Sequence, residues 1–182
     1  MVVCFGPDPS RIANLRDGKL PVSEPQLDEL VARNAARLRF TADVADLKAC
    51  DIIYVAPDVA TDDLGQSDLR AINLLLNSVL DSARADAAVV ILSQVPPGFT
   101  RGKQREGRIL YYQVETLIFG RAVERALFPE RYIIGCADPT QPLPLAYGAF
   151  LKAHGCPILP MRYESAELAK ISINMCLVAS VS

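Results

Sequence analysis

The sequence is poor in the residues from which many catalytic and metal sites are built. His154 is the only histidine, so a histidine-based triad or a site with several histidine ligands within this chain is nearly excluded. The cysteines are odd in number and widely spaced, which argues against a disulfide framework or a zinc site. Each lies in an apolar neighbourhood, and we interpret all five as small buried hydrophobic residues rather than nucleophiles: Cys4, Cys50, Cys136, Cys156 and Cys176. We therefore expect no bound metal.

The sequence also lacks a basic patch and a long apolar run. Lysine and arginine number 19 against 21 acidic residues, a formal net charge of −2, and the basic residues are scattered along the chain. Such a balance offers no footprint for a nucleic acid. No apolar run approaches the roughly 20 residues of a membrane span, and no signal peptide follows Met1. We expect a cytoplasmic protein with neither a nucleic-acid nor a membrane partner.

What the sequence does contain is an alternation of short apolar runs and helical patterns. A length of 182 residues suggests one domain, or one domain with an appendage, and a hydrophobic fraction of 51% is ordinary for a globular core. Apolar runs bounded by turn residues predict six strands, at Val2–Phe5, Leu38–Thr41, Ile52–Val55, Ala88–Leu92, Ile109–Tyr112 and Tyr132–Ile134.

Helical patterns separate most of these runs. They predict helices at Arg11–Leu15, Pro25–Ala36, Asp68–Ala83 and 163–180. Pro25 stands early in its segment, where the missing N–H group is harmless. Strands that alternate with helices predict an α/β fold, with a mostly parallel sheet and helices on both faces.

Two loops follow predicted strands and carry polar residues. They span Ala56–Gln66 and Ser93–Gly102. In open α/β sheets ligands bind beyond the carboxyl ends of the strands, so both loops lie on the expected binding edge. Residues 138–148, with three prolines, are the least regular segment.

Six segments are similar to the motifs of one protein family, in the family's order and spacing, and together they cover nearly the whole chain. They are LRDGKLPVSEPQLDELV at 15–31, RLRFTADV at 37–44, TDDLGQSDLRAI at 61–72, SQVPPGFTR at 93–101, ETLIFGRAVERALFPERYIIG at 115–135 and SAELAKISINMCLVASVS at 165–182. No single segment is decisive, but the set is specific. On these residues the chain resembles the UDP-glucose/GDP-mannose dehydrogenase family.

The resemblance implies a Rossmann-like domain and an NAD-dependent oxidation of a nucleotide sugar. Members of the family oxidise the C6 alcohol of the sugar to a carboxylate in two hydride transfers. On this pattern, residues 1–162 form an incomplete cofactor domain and residues 163–182 the start of the long linking and dimerisation helix. None of the five cysteines matches the motif of the family's catalytic thiol. We therefore expect this chain to be inactive alone.

The resemblance also implies catalytic residues. Glu167, Lys170 and Asn174 are spaced to project from one face of a helix. The family's matching lysine and asparagine point into the active site, where a cation and an amide can stabilise negative charge on oxygen. We assign Lys170 and Asn174 to the site and treat Glu167 as structural. The alternative is a solvated polar stripe, with a Glu–Lys pair contributing only ~0.2–0.5 kcal/mol.

Glu115 is the third catalytic candidate. The matching glutamate of the family assists with water or proton handling, and a partly desolvated carboxylate can act as a general base. An ordinary loop glutamate is an equally good interpretation, because Phe119 replaces a second acid of the motif. For the cofactor, the resemblance implies contacts from Ser93, Pro96 and Thr61.

The largest departure from the family pattern is at the start of the sequence. Gly6 stands where the family has its ribose-binding acid, and Asp8 is two residues too late to replace it. The strand and G-x-G-x-x-G turn that precede this point in the family, and that bind the pyrophosphate, have no counterpart here. In the strand order 3-2-1-4-5-6 the absent strand is the central one. We therefore predict that the sheet closes up, that another chain donates a strand, or that the fold rearranges.

Three interpretations of function remain open. The first is a piece of a nucleotide-sugar dehydrogenase lineage. The second is a non-catalytic binding or assembly protein on a degenerate scaffold, which substitutions at Gln94, Phe119, Val59 and Ala60 favour. The third is a split enzyme completed by another polypeptide. The apolar stripe of the last helix (Leu168, Ile171, Met175 and Val178) predicts a homodimer or higher homo-oligomer.

Overall fold

A computed structural model describes residues 1–62 and 65–181, and the described residues form seven strands and seven α-helices. The strands are β1 (Val2–Phe5), β2 (Leu38–Thr41), β3 (Ile52–Val55), β4 (Ala88–Ile91), β5 (Ile109–Gln113), β6 (Tyr132–Cys136) and β7 (Ile158–Arg162). The helices are α1 (Pro9–Arg16), α2 (Leu27–Arg33), α3 (Arg70–Ser82), α4 (Phe99–Gly102), α5 (Ala122–Leu127), α6 (Leu145–Lys152) and α7 (Tyr163–Val181). Short 3₁₀ helices occupy Ala35–Arg37 and Val44–Ala49.

The strands form two sheets. A five-stranded sheet has the order β3-β4-β5-β6-β7, in which only the β5–β6 pair is antiparallel. A separate two-stranded sheet pairs β1 with β2 in parallel. The mostly parallel, Rossmann-like architecture predicted from the alternation of elements is confirmed.

The five-stranded sheet is covered on both faces, which explains why its inner strand β4 is apolar on both sides. All four residues of β4 are buried. On one face α3 contributes Ile72 and Leu76 to a large cluster that also holds Tyr163 of α7. On the other face Tyr147 and Leu151 of α6 form a smaller cluster.

A glycine in β6 lets α7 lie very close to the sheet. A Cβ atom added at Gly135 would stand 2.9 Å from the Cβ of Ala166 and 3.1 Å from the Cα of Tyr163. Those distances are shorter than ordinary van der Waals contact, so only glycine fits this crossing. The first turns of α7 are thereby fixed across the sheet.

Of the three alternatives predicted for the sheet, closure is not the one that the structure shows. β1 keeps a full register with β2, from Val2 opposite Leu38 to Phe5 opposite Thr41, and it forms no ladder with β3. β1 is therefore not detached, and among the described residues it pairs with β2 alone. Closing the sheet would require residues 1–43, which contain β1 and β2 and which we call the two-stranded unit, to move as a whole. Val3 and Phe5 of this unit pack against the large cluster, and this packing holds the unit in place.

The structure differs from the sequence predictions at three further points. β7 was not predicted, because Pro160 within an apolar run argues against a central strand; β7 is an edge strand, where a missing N–H can face away from β6. Pro25 does not lie in a helix. The chain turns at Gln26, whose φ of 68° is left-handed, and α2 begins at Leu27. α6 also extends into the segment that the sequence marked as irregular, since Pro144 sits directly before its first residue.

The outer face of α7 is apolar and exposed. Leu168 is 54% exposed and Met175 is 68% exposed, whereas Tyr163, Ala166 and Glu167 are buried against the sheet. The side chain of Val178 falls outside the part of the chain that the structure describes. No helix in the described ranges combines the length and apolar character needed to cross a bilayer.

Candidate functional site

The loops after β3, β4 and β5 meet at the carboxyl ends of these parallel strands, as expected for the binding edge of such a sheet. The hydroxyl of Ser93 donates a hydrogen bond of 2.6 Å to the carbonyl of Pro57, which ties the second loop to the first. Residues 63 and 64 of the first loop are not among those the structure describes.

A buried carboxylate fastens the second loop to α7. Glu167 is fully buried, and its two oxygens accept hydrogen bonds from the backbone N–H groups of Gly98 (2.6 Å) and Thr100 (2.8 Å). Gly98 has a φ of 93°, a left-handed conformation that favours glycine. The carboxylate therefore satisfies two N–H groups of this sharp turn and holds the loop against the helix.

Three catalytic candidates meet at one cavity. Glu115, Lys170 and Asn174 all line a cavity of about 240 Å³ beneath the loop after β5. Lys170 donates its Nζ–H to the backbone carbonyl of Glu115. Asn174 donates from Nδ2 to Oε1 of Gln94 at 2.5 Å. α7 thus presents a cation and an amide, one turn apart, to the loops after β4 and β5.

Burial changes the chemistry of the lysine. Lys170 is half-buried, and this desolvation lowers the pKa of its ammonium group, while the nearby charge of Glu115 partly opposes the shift. The carboxylate of Glu115 is engaged within its own turn. Its Oε1 accepts from the N–H groups of Thr116 (2.7 Å) and Leu117 (3.1 Å). The lysine is therefore directed at a backbone oxygen, and the carboxylate shapes the loop.

The three cofactor candidates do not gather at the cavity. Ser93 is buried, with its hydroxyl on Pro57. Pro96 is exposed, and its carbonyl accepts from the N–H of Phe99. Thr61 is exposed, and its hydroxyl lies 3.4 Å from that of Ser67, in an isolated bridge within the first loop.

Charged residues that the sequence analysis did not select also line the cavity. Arg125 and Arg131 both do so, together with Glu130, which pairs with each of them at 3.1 Å and 3.0 Å. They lie in the ERALFPERY stretch on either side of Pro129. The stretch belongs to the segment 115–135 that resembles a family motif, but the sequence analysis selected only Glu115 from that segment, and the fold brings the stretch to the cavity.

The end of β1 does not fit the adenosine part of NAD. Gly6 has no side chain, and its N–H donates to the carbonyl of Thr41. The carboxylate of Asp8 caps α1 by accepting from the N–H groups of Ser10 and Arg11, and its bond from the Ser10 hydroxyl is the main cause of its lowered pKa. A carboxylate at that helix start also repels a pyrophosphate. No group of three or more metal-ligating side chains occurs within the described ranges.

One prediction about the cysteines is wrong. Cys176, on the outer part of α7, is exposed rather than buried. Cys136 is buried, and Cys4, Cys50 and Cys156 are partly buried. Desolvation raises the pKa of the thiols of Cys4, Cys50 and Cys136, which disfavours the nucleophilic thiolate form.

Comparison with known proteins gives consistent matches. Residues 1–146 match the family model described as "UDP-glucose/GDP-mannose dehydrogenase family, NAD binding domain". The whole chain is 29% identical over 196 residues to UDP-glucose 6-dehydrogenase TuaD of Bacillus subtilis, covering 41% of that protein. It is 30% identical over 198 residues to a UDP-glucose 6-dehydrogenase of Pseudomonas aeruginosa, covering 44%. The chain thus spans less than half the length of these curated relatives.

Solved structures agree. A UDP-glucose dehydrogenase from Pyrobaculum islandicum superposes with a TM-score of 0.82 at 28% identity, over 97% of this chain and 44% of that protein. A GDP-mannose dehydrogenase from Pseudomonas aeruginosa superposes with a TM-score of 0.81 at 22% identity, over 99% of this chain and 45% of that one. The second match shows a shared fold.

Proposed function

Because this chain belongs to the UDP-glucose/GDP-mannose dehydrogenase family, we propose that it is a nucleotide-sugar 6-dehydrogenase-like protein that does not turn over a substrate by itself. The observation that supports this most is the cavity shared by Glu115, Lys170 and Asn174. On this proposal residues 1–162 are the incomplete cofactor domain, and residues 163–182 begin the linking helix.

The chemistry of the cavity suits a substrate whose oxygen gains negative charge. A lysine ammonium and an asparagine amide, on successive turns of α7, can both donate to such an oxygen. Lys170 now donates to a backbone carbonyl and Asn174 to Gln94. A substrate oxygen entering the cavity competes with these two acceptors, which are neutral and therefore weaker than an oxyanion.

The cofactor limits activity on this proposal. NAD is the cofactor of the family, but the residues at the end of β1 do not fit it, because Gly6 replaces an acid and Asp8 is committed to the cap of α1. Thiol chemistry has no candidate either, since the described cysteine with the greatest exposure, Cys176, lies on α7 away from the cavity lining. We expect nucleotide-sugar binding without turnover.

Calorimetric titration with UDP-glucose, GDP-mannose and NAD, combined with an assay for NAD reduction, tests the proposal. We expect saturable binding of a nucleotide sugar, weakened by Lys170→Met and unchanged by Lys152→Met, an exposed lysine on α6. We expect no NAD reduction. Turnover by the purified chain would contradict the inactivity, and a chain that binds none of the three ligands would contradict the retained site.

A non-catalytic assembly protein is the second candidate. Phe119, which stands where the family motif has an acid, is 91% exposed, and Leu117, Ile118 and Phe128 nearby are 46%, 40% and 76% exposed. An apolar surface beside the cavity favours a protein contact over a polar ligand. Absence of ligand binding in the titration above, with capture of a protein partner lost on Phe119→Ser, would favour this candidate.

We also propose that the chain forms a homodimer or higher homo-oligomer through the outer face of α7. Leu168 and Met175 are exposed on that face. Sedimentation of the purified chain should show an oligomer that Met175→Glu weakens. A monomer at all accessible concentrations would contradict this.

A further inference from the structure

One ion-paired group on the wall of the cavity has no role in the proposed function. It consists of Arg125 on α5, and of Glu130 and Arg131 just before β6. The Oε1 atom of Glu130 lies 3.1 Å from Nη1 of Arg125, and its Oε2 atom lies 3.0 Å from Nη2 of Arg131. One carboxylate thus holds two guanidinium groups at the cavity that Lys170 and Asn174 also line.

The ion pairs use a small part of what the two arginines can donate. Glu130 accepts from one nitrogen of Arg125 and from one nitrogen of Arg131, whereas a guanidinium carries five N–H donors in a planar fork. Such a fork matches the oxygens of carboxylates and phosphates, and it can bind them through two parallel hydrogen bonds. Two forks that meet on one carboxylate are therefore arranged to bind an anion with more oxygens, such as a diphosphate.

The carboxylate between the two arginines is displaceable. The side chains of Glu130 and Arg131 are 61% and 56% exposed, and that of Arg125 is 25% exposed. Exposed ion pairs contribute little to stability, because water screens them. The hydrogen bond from Arg131 lowers the pKa of Glu130, so the carboxylate is charged at neutral pH. Glu130 therefore competes with an incoming anion, but it holds the arginines weakly.

The charges of the cavity lining favour an anionic ligand. Three lining residues are cationic and two are acidic. The carboxylate of Glu115 is engaged with the backbone of its own turn, at 2.7 Å and 3.1 Å. Once Glu130 turns to solvent, the two arginines and Lys170 are balanced by this one engaged carboxylate. An excess of positive charge in a concave site attracts anions.

The size of the cavity indicates how much of a ligand it holds. Its volume of about 240 Å³ is below the roughly 300–1,000 Å³ of sites that enclose a whole drug-sized ligand. Lys170 and Asn174 lie on α7, whereas the arginines lie on α5 and just before β6. The cavity therefore suits one end of a long ligand, which contacts α7 through one polar group and the arginines through another.

We propose that Arg125 and Arg131 form a phosphate-binding subsite of this cavity, with Glu130 as an internal competitor that the ligand displaces. A diphosphate bound by the two guanidinium forks leaves an attached sugar beside Lys170 and Asn174. The proposal deepens the proposed function, and it rests on that function for the choice of a nucleotide sugar as the ligand. Inorganic pyrophosphate carries the same phosphate chemistry, and the experiment separates the two sources.

Calorimetric titration with UDP-glucose, and separately with inorganic pyrophosphate, tests the subsite. Arg131→Gln should weaken binding of both by about tenfold, because a hydrogen bond to a charged group is lost. Arg131→Lys should recover part of this loss, since it restores the charge without the fork. Glu130→Gln should tighten binding by about threefold, because the competing ion pairs lose their charge. A purely structural role for the ion pairs predicts weaker binding in all three variants.

Arg121→Gln and Glu124→Gln are the matched controls. These two residues form a similar ion pair at the start of α5, and neither is among the residues that line the cavity. Each change should alter the affinity by less than about twofold. If the wild-type chain binds UDP-glucose and Arg131→Gln weakens binding no more than Arg121→Gln does, the subsite is overturned and the proposed function stands.

The two probes separate the remaining outcomes. A wild-type chain that binds neither UDP-glucose nor pyrophosphate would overturn both the subsite and the proposed function. Binding of pyrophosphate alone, with the expected effects of the variants, would support the subsite and contradict a nucleotide sugar as its ligand.

The Nε–H signals of the arginine side chains report binding in the unmodified chain, so this measurement does not depend on the folding of a variant. During a pyrophosphate titration followed by NMR, the signals of Arg125 and Arg131 should shift, and that of Arg121 should stay in place. Equal shifts of all three signals would show unspecific binding to surface charge and would overturn the proposal.

Discussion

The two sheets of this molecule are built from similar strands but differ greatly in how much buried apolar packing stabilises them. The five-stranded sheet carries clusters on both faces, with residues such as Ile72, Leu76, Val90 and Ile134 fully buried. In residues 1–43, Ile12 is the one buried hydrophobic residue that the structure describes. A two-stranded sheet with so small a core is marginal in isolation. β1 and β2 thus form a regular parallel ladder although little apolar packing stabilises it.

A few specific bonds support the two-stranded unit. The guanidinium of Arg16 donates to the carbonyl of Phe40 at 3.0 Å and 2.8 Å, joining α1 to β2. Glu24 accepts from the N–H groups of Gly120 (2.8 Å) and Ala122 (3.4 Å), joining the unit to the loop after β5. We expect the unit to open at a lower free energy than the five-stranded sheet.

Matched isoleucine substitutions on two helices test this difference most strongly. Ile72→Ala in α3 should lower the free energy of unfolding of the five-stranded sheet by about 2–5 kcal/mol, because it leaves a cavity in the large cluster. Ile12→Ala in α1 should speed exchange of the Gly6 amide, which pairs with β2, and leave exchange at Val90 unchanged. Equal losses of global stability in the two variants would show that the chain unfolds as one unit.

A pair of glycine substitutions sharpens the comparison within the better-supported sheet. Gly135→Ala should cost about 1–3 kcal/mol, because the new Cβ meets Ala166 and Tyr163. Gly148→Ala in α6 places a Cβ no closer than 3.7 Å to Leu143, so it should stabilise the helix by about 0.5–1 kcal/mol. Chemical denaturation measures both. A neutral Gly135→Ala would mean that α7 moves easily on the sheet.

The link through Glu24 gives a smaller effect. Glu24→Ala should weaken attachment of the two-stranded unit by about 1 kcal/mol, because the N–H groups of Gly120 and Ala122 lose their acceptor. The effect should be this small because water can reach these groups and replace the lost hydrogen bonds. Trypsin should then cut faster after Arg121, beside those groups. Glu29→Ala, on the exposed surface of α2, is the control. An unchanged cutting rate would show that the unit is held by packing alone.

The smallest effect concerns pH. The hydrogen bond from the guanidinium of Arg101 lowers the pKa of Glu164 to about 2. A carboxylate with a lowered pKa stabilises the folded state above its ordinary pKa and loses this contribution as the pH falls towards 2. Thermal midpoints of the wild-type chain should therefore fall more steeply than those of Glu164→Gln between pH 4.5 and pH 2. The pair is exposed, so the difference should be small. Parallel midpoint curves would contradict it.

Strands were predicted best where the sequence contains an apolar run without proline. β1, β2 and β3 have the predicted bounds. β1 is an apolar run that ends at Gly6, and β3 is an apolar run that ends shortly before Pro57. β7 and α6 were missed because proline at 160 and 144 hides an edge strand and a helix start. Closure of the sheet was one of three alternatives predicted from the cost of unpaired backbone groups. That alternative did not take into account the apolar packing of Val3 and Phe5 against the large cluster.

The candidate site was partly accessible from sequence. Helical spacing and the family motif pointed to Lys170 and Asn174, and the fold brings both to one cavity with Glu115. The acceptor of the Asn174 amide was not predictable, because Gln94 lies 80 residues away in the sequence. The role of Glu167 as the acceptor for a turn 67 residues away is likewise visible only in three dimensions.

The carboxylate of Glu167 makes α7 an anchor for the loop after β4. Glu167, Lys170 and Asn174 follow one another along the helix, and the first and last of them hold the loop after β4 at Thr100 and Gln94. Two points of contact on α7, about two turns apart, therefore fix the loop to the helix on either side of Lys170. The exposed apolar face of α7 lies on the outer side of the same helix. A protein bound to that face would be separated from the cavity by the width of a single helix.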